Sequence, residues 1–229
     1  MTDPGPDGRV GTADDGGTLQ ALNLAPQYLS LPAVYQIQNL PQLTADLYTW
    51  EITASRRQTG RWSLLGSFAE TWTDAVPLNI SSNSTSPLVY TPNALINTID
   101  GKNRSKTWQA KIMATVDVGW GVRLTPIFRD QSGVPFGRTF VQRLNYSSSV
   151  TLLAEPFGTE RASLINVFDL RSEKAFKRGS TRIGLIFDAY NIFNANTTQS
   201  VTSASGTSFL RPLNITGPRI VRVGVRLNF

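Results

Sequence analysis

The closing segment of the chain constrains its fold more than any other feature. From Arg219 to Phe229, the residues Val221, Val223, Val225, Leu227 and Phe229 alternate with Arg222, Gly224, Arg226 and Asn228. Successive side chains of a strand point to opposite faces, so this period of two gives one apolar face and one polar or small face. The same alternation recurs upstream. Ile183, Leu185, Phe187 and Ala189 share a face, followed by Asn191-Ile192-Phe193-Asn194, and Phe168 and Leu170 oppose Asp169, Arg171 and Glu173 between Asn166 and Phe176. Trp108, Ala110, Ile112, Ala114 and Val116 mark a strand from Lys106 to Val118, with another from Val122 to about Gln131. Tyr48, Trp50, Ile52 and Ala54 mark a strand from Tyr48 to Gln58, and Trp62 to Trp72 gives the seventh. Helix-period stripes are scarce, and no stretch approaches the ~18 consecutive apolar residues of a spanning helix.

The connections alternate between short and long. Turns near 59–61, 119–121 and 177–180 are tight and contain Gly, whereas 74–105, 132–164 and 194–217 are long and rich in Ser, Thr, Asn, Pro and Gly. Short turns at one end and long loops at the other are the habit of transmembrane barrels. Trp62 and Trp120 sit beside short turns, and Trp50, Trp72 and Trp108 near strand ends that adjoin long loops. Aromatic girdles occupy such positions in barrels, although tryptophans flank strands in other β-proteins too. Pro126 has no N–H to donate, so the strand around it is expected to be bulged, short or edge-like. Glu70 falls on the apolar side of its strand, and residues 28–40 offer an eighth strand.

Composition removes several function classes. There is no cysteine and no histidine among the 229 residues, which excludes disulfide scaffolds, thiolate nucleophiles, most zinc sites and imidazole catalysis. The net charge of +6 is carried by Lys and Arg scattered along strands, with no basic run longer than Lys177-Arg178, so no nucleic-acid partner is expected. The segment Met1 to Gly8 has neither the basic nor the apolar region of a signal peptide.

Several segments taken in order resemble one family. They are Asp3-Pro4-Gly5-Pro6-Asp7-Gly8 with Gly11-Thr12-Ala13-Asp14-Asp15-Gly16, then Gln131-Ser132-Gly133-Val134-Pro135-Phe136-Gly137-Arg138. Phe168-Asp169-Leu170-Arg171-Ser172-Glu173-Lys174, Phe187 to Asn194 and the closing strand ending in Phe229 follow. Together they are similar to the Oar-like TonB-dependent receptors, outer-membrane transporters with a carboxypeptidase-regulatory-like N-terminal domain. The resemblance implies an all-β fold, an antiparallel up-and-down transmembrane barrel segment of seven or eight strands out of 22. Residues 1–45 would be an extracellular loop region with an acidic Gly-rich turn, and 46–229 the C-terminal barrel strands. It also implies a Gram-negative outer-membrane location and a part in uptake of a small-molecule nutrient, such as a siderophore or carbohydrate. The implied partners are membrane lipid and lipopolysaccharide, the barrel assembly machinery, and the TonB complex through an N-terminal plug that this sequence lacks. Val221, Val223, Val225, Leu227 and Phe229 would carry the barrel-assembly signal. The alternatives are a self-contained or oligomeric passive barrel of porin or adhesin type, and a β-sandwich binding module with its apolar faces packed together.

No catalytic constellation is legible, and the chain is expected not to be an enzyme. No cofactor is expected except Ca²⁺ in the N-terminal loop, where Asp3, Asp7, Asp14 and Asp15 lie among glycines that allow oxygens to converge. An ordinary acidic turn explains the same residues, since the spacing is not that of an EF-hand. On the polar side of the strands, Glu51, Arg57, Lys111, Asp117, Asp169, Arg171, Glu173, Asp188, Arg222 and Arg226 are expected to face the barrel lumen. There they would pair with one another or line a substrate path.

Overall fold

A computed structural model describes residues 1–32, 34, 44–77 and 91–229 of the chain. Seven strands form one antiparallel sheet: β1 (Ala45–Thr59), β2 (Trp62–Ala75), β3 (Asn103–Gly119), β4 (Val122–Gln131), β9 (Ile165–Arg178), β10 (Thr181–Tyr190) and β13 (Ile220–Asn228). They lie side by side in chain order, each antiparallel to its neighbour. The remaining strands pair into three small sheets in the long connections. These are β5 (Pro135–Phe136) with β8 (Glu160–Arg161), β6 (Thr139–Leu144) with β7 (Ser147–Leu153), and β11 (Thr198–Val201) with β12 (Pro212–Ile215). Two short 3₁₀ turns, Pro26–Tyr28 and Pro92–Leu95, each begin with a proline whose fixed φ suits the first helical position.

Three two-residue turns set the register of the sheet. Trp120 and Gly121 both have positive φ, 51° and 76°, as a twist-matched hairpin turn between β3 and β4 requires. A side chain at Gly121 would also meet the Ala175 carbonyl at 2.5 Å, so the position admits only glycine. Pro126 does not break β4. The strand is interior, its ladder to β9 runs through Pro126 opposite Leu170, and its register to β3 is the same on either side of the proline. The edge or bulge expected there is absent because the strand keeps its ladder to β9 on the other side, while the hydroxyls of Thr115 and Thr125 meet at 3.2 Å.

The transmembrane barrel segment of seven or eight strands expected from the sequence is corrected: among the described residues the strands form one open sheet and three separate small ones, with no barrel closure. The neighbour order starts at β1 and stops at β13, and among the described residues no ladder joins the two. The sheet is open and the other sheets are separate from it. What rested on closure is corrected with it: membership of the TonB-dependent receptors, the passive porin or adhesin barrel, and the outer-membrane location. The same holds for lipopolysaccharide, the barrel assembly machinery and the TonB complex as partners. The physical reason is that period-two alternation reports only that each strand has one apolar and one polar face. It carries no information about whether the first and last strands meet. The suggested eighth strand at 28–40 falls mostly outside the described residues; Pro26–Tyr28 is a 3₁₀ turn.

The best-packed part of the molecule is not on the sheet. Phe140, Leu144, Val150 and Leu152 of the β6–β7 hairpin form a buried cluster, flanked by Met1, Leu19 and Ala21 of the N-terminal segment and by Ile96. That segment is tied down along its length. The Met1 ammonium donates to the Leu19 carbonyl at 2.8 Å, the Asn93 carboxamide brackets the backbone of Leu22, and that of Asn145 brackets Leu24.

Candidate functional site: a two-faced sheet with open edges

The strand registers sort side chains into two faces. Tyr48, Trp50 and Ile52 of β1 lie in line with Trp72, Phe68 and Leu64 of β2, and onward with Trp108, Ala110, Ile112 and Ala114 of β3. The same face continues through Phe128 and Leu124 of β4, Phe168 and Leu170 of β9, and Leu185 and Phe187 of β10 to Val221, Val223, Val225 and Leu227 of β13. Trp50, Phe68 and Trp108 form a cross-strand aromatic row with ring centroids 5.3 and 6.0 Å apart. The Arg56 guanidinium stacks 3.5 Å over Trp62, and Trp120 at its turn tip is 91% exposed. Such contacts place the tryptophans without a membrane girdle. The same registers place charged residues on this face too, among them Arg56, Glu70, Lys106, Asp130 and Lys174, of which Glu70 is held by Lys106 at 3.1 Å.

This face is uncovered. Ile52, Ile112, Leu185, Val223 and Val225 are between 45% and 73% exposed, and Phe229 is fully exposed. All five residues of the closing apolar row, Val221, Val223, Val225, Leu227 and Phe229, are exposed at the β13 edge.

The opposite face carries charges in cross-strand rows. Glu51, Lys111, Asp117, Asp169, Arg171, Glu173, Asp188, Arg222 and Arg226 fall on it and Arg57 lies in the register shift at the end of β1, but in an open sheet none of them borders a lumen. Asp188 is almost wholly buried and receives Arg222 at 2.7 Å and Arg171 at 3.5 Å. Asp169, equally buried, accepts from Arg129 at 2.8 Å and from the Asn191 backbone N–H at 2.8 Å. Arg226 reaches Glu173 at 3.8 Å across Gly184, where an added Cβ would lie 3.3 Å from the Glu173 carboxylate. Glu51 meets only the Thr53 hydroxyl, at 3.3 Å, and Arg57 and Lys111 form no ion pair among the described residues. Asn191 adopts positive φ, 49°, and its side chain bonds both Ala195 and the Gly217 carbonyl, which fixes the chain where it leaves β10. A half-open cleft of about 350 Å³ lies beside it, lined by Arg129, Gln131, Asp169, Tyr190, Asn191 and Gln199 among others.

Asp117 binds two of the three tight turns together, those of β1–β2 and β3–β4. It accepts from Arg123 at 2.8 Å and from Gln58 at 2.5 Å, and its carbonyl accepts from Arg61 at 3.1 Å. The Arg123 hydrogen bond holds the Asp117 carboxyl below the usual carboxylate range. A depressed folded value means this stabilisation is complete above the unfolded value of about 3.9 and fades as pH falls through the folded one. Carboxyl-resolved NMR titration is therefore expected to give Asp117 a midpoint below that of an unfolded peptide, and Asp117→Asn to remove this part of the acid sensitivity. A midpoint at or above the peptide value would overturn the assignment.

Of the four N-terminal carboxylates, Asp7, Asp14 and Asp15 gather around the Thr12 hydroxyl, at 3.5, 2.7 and 3.3 Å, and Asp3 is paired elsewhere. Asp3 is buried against Arg138, and the Asp7 carboxylate accepts from the Arg9 N–H at 2.7 Å. Asp14 accepts from the Asp7 N–H and the Thr12 hydroxyl, and Asp15 from the Gly11 N–H at 2.6 Å. Those bonds, the Thr12 hydroxyl first, lower the Asp14 pKa. Among the described residues no group of three or more acidic side chains is placed to hold a metal ion.

Sequence reasoning missed Arg123, Arg129 and Arg138. The first two alternate with Leu124 and Phe128 in β4 and were legible as polar-face positions once Pro126 is set aside. Arg138 had no local signal, since its partner lies 135 residues away. Comparison of the chain with protein-family models, with curated proteins and with solved structures gives no match.

Proposed function

We propose that the chain is a non-enzymatic β-assembly module, whose sheet is completed by strand pairing at its edges and whose apolar face is covered in the same assembly. The observation that carries this reading is the apolar face shared by all seven strands, exposed while the outer edges of β1 and β13 have no ladder partner among the described residues. Monomeric proteins rarely expose contiguous apolar patches beyond roughly a few hundred Å², and larger ones mark interaction surfaces. Natural edge strands are short, charged or covered; β1 runs for 15 residues with both faces exposed.

The absence of catalysis is supported by side-chain chemistry. Without histidine or cysteine, acid–base work would fall to carboxylates. The two buried ones on the polar face, Asp169 and Asp188, are both engaged by arginines of neighbouring strands.

Left without a partner, the chain is expected to self-associate through its apolar face. Sedimentation velocity over a range of concentrations checks this, and Val223→Lys, at a 73% exposed position, is expected to weaken association at least tenfold while changing monomer stability by only about 0.5 kcal/mol. A monomer at every concentration, indifferent to Val223→Lys, would sink the proposal.

A further inference from the structure

The polar-face charges alternate across strands and stop at β13 on a cation. In one row Arg171 of β9, Asp188 of β10 and Arg222 of β13 stand opposite one another, cation, anion, cation. In a second row Asp117 of β3, Arg123 of β4 and Glu173 of β9 follow in register, anion, cation, anion. Arg226 of β13 then answers Glu173 across Gly184. Opposite charges facing each other on neighbouring strands are favourable and like charges are not, so a strand added beyond β13 would be matched best by acids opposite Arg222 and Arg226.

We infer that the β13 edge is a docking edge for an antiparallel strand of a partner polypeptide, apolar at alternate positions and acidic at two polar positions four residues apart. This rests on the reading of the sheet as one completed by strand pairing. The apolar positions follow from Val221, Val223, Val225 and Leu227, which leave that side of β13 without charge. Arginines on an edge strand can also serve to block pairing. These two do not stand on the apolar side of the edge; both lie over the polar face, drawn inward by Asp188 and Glu173.

A second copy of the chain does not supply this strand. Acids four apart on one face occur at Glu70 and Asp74 in β2 and at Asp169 and Glu173 in β9, and both strands are already paired on either side. The other edge strand, β1, has Glu51 as the one acid among Thr49, Thr53 and Ser55 on its polar side. Residues 28–40 contain no acid at all.

The test uses the whole chain, at a concentration below that of self-association, with synthetic peptides as long as β13. Each alternates valine with polar residues and carries glutamate, glutamine or lysine at two polar positions four apart. Fluorescence anisotropy is expected to show the glutamate peptide binding about tenfold tighter than the lysine peptide, two favourable cross-strand pairs having replaced two unfavourable ones. Hydrogen exchange is expected to slow at β13 amides. Arg226→Glu is expected to cancel the preference, since each peptide then meets one favourable and one unfavourable charge, and Arg226→Gln, which removes the charge there, to narrow it. If all three peptides slow β13 exchange equally, strand addition stands and the acidic preference is overturned. If none does, the β13 edge is not a docking edge, and the assembly reading loses its support at that edge as well.

Discussion

Replacing Arg138 with alanine is expected to destabilise the chain by about 3–5 kcal/mol, the cost of stranding one partner of a buried ion pair. The Arg138 guanidinium donates to both oxygens of Asp3, at 2.7 and 2.5 Å, and to the Ser205 hydroxyl at 3.0 Å. The Arg138 and Asp3 side chains are only 9% and 4% exposed. Without the guanidinium, the Asp3 carboxylate would keep the Gly5 N–H at 3.1 Å and lose its counter-charge in a site closed to solvent. Its escape is also hindered, since Gly16 is packed so closely that a Cβ there would lie 2.1 Å from the carboxylate. The expected outcome is release of the N-terminal segment, seen as a lowered denaturation midpoint and rapid proteolysis within residues 1–24. The pair is also expected to be non-additive: Asp3→Asn combined with Arg138→Met should cost less than Arg138→Ala alone. A loss below about 1 kcal/mol for the single variant would show that the pair is open to water.

Leu152→Ala is expected to cost about 2–5 kcal/mol, as large-to-small substitutions in a packed core do. Leu152 is 1% exposed and is the one large side chain below 2% among the described residues. It packs with Phe140, Leu144 and Val150 in a cluster too small to collapse around a lost isopropyl group. The seven-stranded sheet contributes little to that cluster, so the damage is expected to stay local. Hydrogen exchange should accelerate at β6 and β7 amides while those of β3 and β9, interior to the sheet, keep their protection. A uniform acceleration over the whole chain would mean that the hairpin layer and the sheet unfold as one unit.

Seven alternating segments in the sequence coincide with the seven strands of the sheet, because strand alternation is a local property carried by every second residue. The two faces were legible for the same reason: Trp108, Ala110 and Ile112 belong together in β3 whatever lies beyond it. Closure was not legible. Whether Val223 at one edge meets a residue of β1 depends on curvature and on strands that local pattern does not count. Pro126 misled because a proline loses one donor only, and β4 keeps its ladder to β9 on the other side. The Asp cluster shows a different limit. Spacing among glycines says nothing of Arg138, whose charge takes up Asp3. Of the polar-face rows, the residue types were readable, but the diagonal from Arg226 to Glu173 exists because Gly184 leaves the space between them empty.

The direction of the strands adds a rule of arithmetic. Neighbours alternate in direction, and the sheet has seven members, so β1 and β13 point the same way. A ladder made directly between those two edges would be parallel, with slanted bonds, in a sheet otherwise built from antiparallel pairs. Antiparallel pairing that links both edges takes an odd number of added strands. One β-hairpin, contributing two, leaves the last pair running in the same sense. A partner that spans the gap with antiparallel pairs therefore brings an odd number of strands, and otherwise each edge has a partner of its own.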